Sequence, residues 1–302
     1  MARNDSPGGI TAIVLTFNEA KHIARCIDSL RPVAARICVI DSHSTDDTAE
    51  IARAHGAEVF LNPWRNYATQ FQWGLDNAGI TTGWTMRIDA DEYLEPALQQ
   101  AIGDFLARPG TVNAVYFRRK VVFLDRPITH GFFYPALMLR LWRSGAGRIE
   151  QRWMDEHILV EAPVTATLPG DLVDHNLNDI AWWTGKHIGY ARREAYDIIA
   201  SRAAGESREK AADLSGSARR KRFLKERIYN RLPTALRSSL YFVYRYVIGR
   251  GFLDGKEGFF FHFFQAYWYR TYVDASLLEL ERRAQAQGLT AYEMLKRDGI
   301  LS

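Results

Sequence analysis

The sequence predicts an α/β protein: a mixed, largely parallel sheet flanked by helices, followed by a helical, aromatic-rich C-terminal extension. Three observations predict it. Apolar, β-rich runs alternate with helical periodicity through the first ninety residues in the order βαβαβαβ. Shorter strand-like runs separated by turns continue to about residue 175. Beyond them, fourteen of the 32 residues from 241 to 272 are Phe, Tyr or Trp, against 13% for the whole chain.

The elements follow in order. Residues 10–17, ITAIVLTF, form a continuous apolar run, as expected of a strand covered on both faces of a parallel sheet. The run stops at Asn18-Glu19, and EAKHIARCIDSL takes up helical spacing through Ile23, Ile27 and Leu30. RICVI at 36–40 is a second strand, stopped by Asp41. SHSTDDTAEIARAHG follows as a helix capped by Ser44 or Thr45, with acidic residues in its first turn. AEVFLN is a third strand, 66–79 a helix and WTMRID a fourth strand, with connections suited to parallel pairing. VNAVYFRRKVVFLD, ALMLRLWRS and HILVE then read as shorter strands, with a turn at SGAG, 144–147. Residues 181–203 read as one long helix, 204–231 as a charged stretch ending ARRKRFLKERIYNR, and 274–297 as a polar helical tail. The pattern divides the chain into an α/β domain, 1–203, and a C-terminal helical region, 204–302.

The bulk numbers exclude some classes. With 302 residues, 47% of them hydrophobic and 25% charged, the chain can build a sizeable core. A net charge of +4 suits phosphates or an anionic membrane and is too small to argue for nucleic acid. Cys26 and Cys38 form neither CxxC nor a zinc spacing, which reads as two thiols in a reducing compartment. MARNDSPGG lacks the apolar core of a signal peptide, and no run reaches about 18 apolar residues. The expectation is a cytoplasmic protein, peripheral at the inner face of the cell membrane. TFNEAKHI, after the first strand, has no glycine, which argues against a nicotinamide dinucleotide, and GxxxxGK[ST] is absent.

Acids gather at strand ends. Asn18-Glu19 closes the first strand, Asp41 the second, and Asp89-Ala90-Asp91-Glu92 the fourth. Ligands of open α/β sheets bind beyond the carboxyl ends of the strands. Asp41 suits a hydrogen bond to a base or a ribose hydroxyl. Three carboxylates within four residues of RIDADE repel one another, and Asp89 and Asp91 are spaced to meet at one cation. Mg²⁺ and Mn²⁺ favour oxygen ligands, and Mg²⁺ is commonly held by one or two carboxylates plus substrate phosphates. Glu92 is left to cap the following helix.

VLTFNEAKHI, VIDSHSTDDTAEIA and the DxD motif in RIDADE, in this order and at this spacing, resemble the inverting family 2 glycosyltransferases with a GT-A fold. The likeness is greatest to bacterial enzymes of the lipopolysaccharide-core β-glucosyltransferase type. It is strong over residues 10–100 and continues less specifically to about 200. The resemblance implies a UDP-sugar donor (glucose by default), Mg²⁺ or Mn²⁺, and a lipid-linked, lipopolysaccharide or exopolysaccharide glycan acceptor. It implies that Thr16 and Glu19 contact the nucleoside, that Asp41 binds uracil or ribose, and that Arg65 and Gln70 in NPWRNYATQFQWGL help hold the base. Asp89 would face the ribose or donor sugar and share the metal with Asp91, and His175 in GDLVDHNL would complete the metal shell. The acidic base is expected in RWMDEHILVE, where Glu156 is the first choice and Asp155 the second, a departure from the usual ED or HE pair.

On the helix 181–203, Trp183, His187, Tyr190 and Glu194 fall near one face. That is either a packing stripe with polar tips or, by the resemblance, a device that brings Lys186 or His187 near the donor diphosphate or the acceptor. A nucleotidyltransferase would want a glycine-rich basic loop after the first strand, and a HAD-type phosphatase its paired acids there rather than after the fourth. A non-catalytic scaffold that retains the fold predicts no donor hydrolysis. Arg245, Arg250, Lys256 and Arg270 interrupt the aromatic block, so a bilayer crossing is not expected. Rings and cations together suit the headgroup boundary, with ARRKRFLKER at 218–227 adding attraction. The other reading is an aromatic core or a homo-oligomer interface.

Overall fold

In the computed structural model the described residues are 8–150, 157–204 and 234–301. They fall into two compact units divided between Leu177 and Asn178. The sequence pattern places the boundary later, at 203/204. The difference has a packing reason: the helix that begins at Ile180 buries Ala191, Ala195 and Ile199 among Tyr269, Val273 and Leu277.

The first unit opens with β1 (Ile10–Thr16), α1 (Ile23–Leu30), β2 (Arg36–Asp41), α2 (Thr48–Ala54), β3 (Glu58–Leu61), α3 (Tyr67–Asn77) and β4 (Trp84–Asp89). The four strands lie in the order β3-β2-β1-β4, all parallel. Every residue of β1 and β2 is buried, which is why their sequences are largely apolar, with Arg36 and Asp41 as buried charges at the two ends of β2. There follow β5 (Glu92–Leu94), α4 (Pro96–Ala107), β6 (Ala114–Phe123), β7 (Arg126–Ile128), β8 (Ala136–Arg143), β9 (Gly147–Ile149), β10 (Ile158–Val160) and β11 (Thr165–His175). The sheet continues from β4 as β8-β6-β11-β5, with β8 antiparallel to both neighbours and β11 parallel to β6. The result is the mixed sheet with flanking helices that the sequence predicts.

Several local features differ from the sequence expectation. Neither Ser44 nor Thr45 caps α2. Asp46 Oδ1 accepts from the Thr48 backbone N–H at 3.1 Å, and Ser44 turns back to Asp41. Glu92 does not cap α4; it is a buried member of β5. β11 is a strand that the sequence reading does not delimit, because Pro169-Gly170 interrupts its pattern. Gly170 has φ +89°, and the register with β6 shifts between Thr167 and Asp171, as at a bulge.

In the second unit α5 (Ile180–Ala203) is capped by Asp179, whose Oδ1 accepts from the Trp182 N–H at 2.8 Å. Helices Thr234–Val243, Gly255–His262, Tyr269–Gln285 and Ala291–Arg297 follow. The predicted tail is thus two helices, the second started by a Thr290–Glu293 capping box. Part of the aromatic block packs on itself: the rings of Phe242, Tyr246, Phe259 and Phe263 have neighbouring centroids 5.3 to 6.4 Å apart. Among the described residues no helix is long and apolar enough to cross a membrane. The basic segment 218–227 lies outside the described residues.

Candidate active site

The parallel strands bring their carboxyl ends to one edge of the sheet. In register, Thr16 lies beside Asp41, and Leu15 beside Asp89. Asp41 is only 1% exposed, so its charge needs internal partners. Its Oδ2 accepts from Thr16 Oγ1 at 2.8 Å and from Ser44 Oγ at 2.5 Å, and its Oδ1 accepts from the Ser44 N–H at 2.8 Å. Asp41 therefore shapes the loop that follows β2. That loop is sewn to the one after β1. Asn18, at φ +56°, donates its N–H to Ser44 Oγ and accepts from the Thr45 N–H, and the Glu19 N–H bonds Thr48 Oγ1.

Glu19 works inward. Its carboxylate accepts from His22 Nδ1 at 2.6 Å, while His22 Nε2 accepts from the Leu177 N–H at 2.8 Å. Those two contacts together require the Nδ1–H tautomer. One turn along α1, Arg25 donates to the carbonyls of His175 and Asp91 and lies over the Tyr93 ring. Helix α1 thus pins the segment after β11 beside the DADE turn.

The three acids of RIDADE have different surroundings. Asp89 accepts from Tyr67 Oη at 2.5 Å and from Arg140 Nη2 at 3.1 Å, with Arg87 Nε at 3.9 Å. Glu92 accepts from Arg140 Nη2 at 2.6 Å and from the Asp89 N–H at 2.9 Å, and Arg119 Nε lies at 3.4 Å. Arg119 also pairs with Asp174. Asp89, Glu92 and Asp174 are thereby set against Arg87, Arg119 and Arg140. Burial works against ionisation of Asp89, but the charges of Arg140 and Arg87 and the Tyr67 hydroxyl outweigh it and hold its carboxyl well below the usual range. Burial pushes the Glu92 carboxyl upward; the Asp89 charge adds to that, and Arg140 opposes it.

Asp91 stands apart. Its Oδ2 accepts from Asn176 Nδ2 at 3.0 Å, and among the described residues no lysine or arginine pairs with its carboxylate. The predicted metal set of Asp89, Asp91 and His175 is not gathered. Asp89 is turned into the arginines. His175 accepts from Arg25 Nη1 at Nδ1 and donates from Nε2 to Asp125, each at 3.2 Å. Among the described residues no three His, Cys, Asp or Glu side chains assemble as a metal cage. Arginines balance Asp89 and Glu92, and among the described residues none does so for the Asp91 carboxylate.

The other expected residues scatter. Gln70 is fully buried, donating to Ser42 Oγ and the Asn62 carbonyl and accepting from Asn62 Nδ2, so it ties α3 to the ends of β2 and β3. Arg65 is exposed in the loop between β3 and α3. Lys186 lies over the Trp182 ring of α5, in the second unit. Along the same helix Trp183 stacks on His187 at 3.6 Å, and Glu194 accepts from Tyr269 and Arg270, which makes the stripe a packing one. Asp155 and Glu156 lie outside the described residues. Tyr67, Arg119, Arg140, His22 and Arg25 were not foreseen. The available signal was an arginine inside each of the apolar runs AVYFRRKVVF and ALMLRLWR, since a buried guanidinium demands an acid.

Residues 11–174, more than half of the chain, match the family model described as glycosyl transferase family 2. The chain belongs to glycosyl transferase family 2. The match ends within β11, so the family 2 domain lies in the first unit. An uncharacterized glycosyltransferase of Rickettsia felis is 35% identical over 117 residues, covering 39% of this chain and 41% of that protein. The lipopolysaccharide core biosynthesis glycosyltransferase LpsC of Rhizobium meliloti is 29% identical over 170 residues, covering 54% and 62%. The chain therefore spans less than two thirds of the length of these relatives. Among solved structures, glucosyl-3-phosphoglycerate synthase from Mycobacterium tuberculosis, in complex with Mn²⁺, UDP and glucosyl-3-phosphoglycerate, overlaps 37% of this chain and 44% of that one, at 24% identity and a TM-score of 0.32. An overlap of that extent transfers no ligand to this family 2 member.

Proposed function

We propose that this family 2 member transfers a sugar, with inversion, from a UDP-sugar to a lipid-linked or lipopolysaccharide-type glycan at the inner face of the cell membrane. Glucose is the default donor sugar. The observation that carries the reading is the Asp91 carboxylate, uncompensated by any described cation, on the turn after β4 of a family 2 domain. The loops after β1 and β2, held together by Thr16, Asn18, Asp41 and Ser44, form the nucleoside side. Asp89, kept ionised by its arginines, presents its half-buried carboxylate to the ribose or donor sugar.

Asp91 would hold a divalent cation, Mg²⁺ or Mn²⁺, that arrives with the diphosphate; such a cation offsets the charge developing on the leaving group. Asn176 orients the Asp91 carboxylate, and the His22–Leu177 and Arg25–His175 contacts fix Asn176 in turn. The proton of the attacking hydroxyl goes to Glu156, or to Asp155 in its place. Positioning of the two sugars supplies much of the remaining acceleration.

A thermal-shift screen of nucleotide sugars with and without Mn²⁺ tests the reading. A ligand at a hundred times its Kd adds roughly 2.7 kcal/mol of stability. One donor shifting the melting temperature only with Mn²⁺ is the expected result. Equal behaviour of all nucleotides, with no metal effect and no donor hydrolysis, would leave a retained fold without this activity.

A further inference from the structure

We propose that the helical hairpin 234–262 of the second unit is a docking element for an anionic lipid bilayer, seating an exposed apolar stripe at the boundary between headgroups and acyl chains. The proposal stands on the surface of this unit and does not depend on the transferase reading.

The stripe is regular. Leu236, Leu240, Val243 and Val247 recur at helical intervals along Thr234–Val243 and the π turn Tyr244–Ile248, and each is about half exposed. It continues around the bend: Ile248 is 63% exposed and Phe252 48%. On the returning helix Gly255–His262, Phe259 and Phe260 are exposed as well. The same helices bury Phe261 and His262 inward, so the hairpin has a packed side and an apolar side open to solvent. Contiguous exposed apolar surface of this kind marks an interaction site.

Charge selects the occupant. Residues 231–253 contain no Asp or Glu. Asp254 is buried. The exposed cations at the bend are Arg250 and Lys256, on either side of Phe252. Large apolar side chains flanked by cations match an anionic interface. A second copy of the chain is the poorer partner, since a two-fold contact through the bend would set the same two cations of each copy face to face. The hairpin is also too short and too interrupted to span, and no described helix does.

The test is cosedimentation of the full-length protein with vesicles of phosphatidylcholine alone and of phosphatidylcholine mixed with phosphatidylglycerol, without any sugar donor. The wild type should pellet with the mixed vesicles, less with phosphatidylcholine, and less again as salt is raised. The double variant Ile248→Ser, Phe252→Ser should bind at least about tenfold more weakly. Arg250→Asn with Lys256→Gln should lose the preference for phosphatidylglycerol, and Leu278→Ser, exposed on another helix, should bind as the wild type does. A second reading guards against misfolded variants. Ile248→Cys can be labelled selectively with an environment-sensitive dye, because Cys26 and Cys38 are buried, and its emission should shift to the blue on mixed vesicles. A wild type that stays in the supernatant with both vesicles, or a labelled Cys that reports no change, would overturn the proposal. So would a serine double variant that pellets undiminished, or a wild-type dimer that this variant dissolves without any vesicle binding.

Discussion

Asp91 and Asp89 are two residues apart and opposite in circumstance. Asp89 is bound by Tyr67 and Arg140, whereas the Asp91 carboxylate meets only the amide of Asn176 among the described side chains. Their substitutions should therefore separate function from stability. Asp91→Asn should lower sugar transfer by about two to three orders of magnitude while leaving unfolding free energy within about 0.5 kcal/mol; turnover and urea unfolding of the same preparation check both halves. Arg140→Met should do the reverse in part. It strips the charge from a side chain that is 1% exposed and contacts Asp89 and Glu92. Breaking a buried pair from one side costs about 3–5 kcal/mol, against about 0–1 for a surface pair. A urea midpoint unchanged by Arg140→Met would show that these arginines do not balance the acids.

At the scale of elements, Gly170 tests the join between β11 and α4. A Cβ there would meet Leu98 N at 2.3 Å, with φ already at +89°. Gly170→Ala should cost about 2 kcal/mol or more, whereas Gly110→Ala, at φ +55° with nothing within 4 Å, should cost about 1; thermal unfolding of the two variants side by side makes the comparison. In α5 burial pushes the His187 imidazole down to about 4, while its bond to the Trp183 carbonyl opposes the shift. A lowered folded value means that the unfolded chain binds the proton first as pH falls. Stability from His187 is thus whole above about pH 6.5 and is lost as pH falls from there towards 4, by on the order of 2 kcal/mol after allowance for partial solvation. His187→Phe should flatten that part of the stability–pH curve.

The same scale shows how much was legible in the sequence. The parallel half could be read because burial on both faces leaves largely apolar runs such as ITAIVLT, and α5 because its long helical pattern is local. β5 is three residues long, and β11 carries Pro169-Gly170, so neither leaves a clear period. In the site, the acids could be found because each ends a strand. Arg119 and Arg140 could not be paired with them, because strand order across β8, β6 and β11 decides that contact and no local pattern encodes it. Gln70 was assigned to the base by likeness, but its burial gives it a structural task.

At the scale of the molecule, a family 2 domain occupies the first unit, and the second unit lies outside the match. The proposed chemistry belongs to the sheet edge at 16–19, 41–48 and 89–92, and the helical unit carries the proposed lipid surface. If that division of labour holds, Ile248→Ser with Phe252→Ser should leave turnover on a soluble acceptor fragment within about twofold of the wild type, since both residues are exposed and belong to the unit that does not carry the candidate site; parallel assays of the two proteins on one acceptor check this. Isothermal titration of UDP in the presence and absence of Mn²⁺, on the wild type and on Asp91→Asn, bears most directly on the central claim. The account predicts Mn²⁺-dependent binding that the substitution weakens at least about tenfold. Identical titration of both proteins, or UDP binding by the wild type that ignores Mn²⁺, would contradict it.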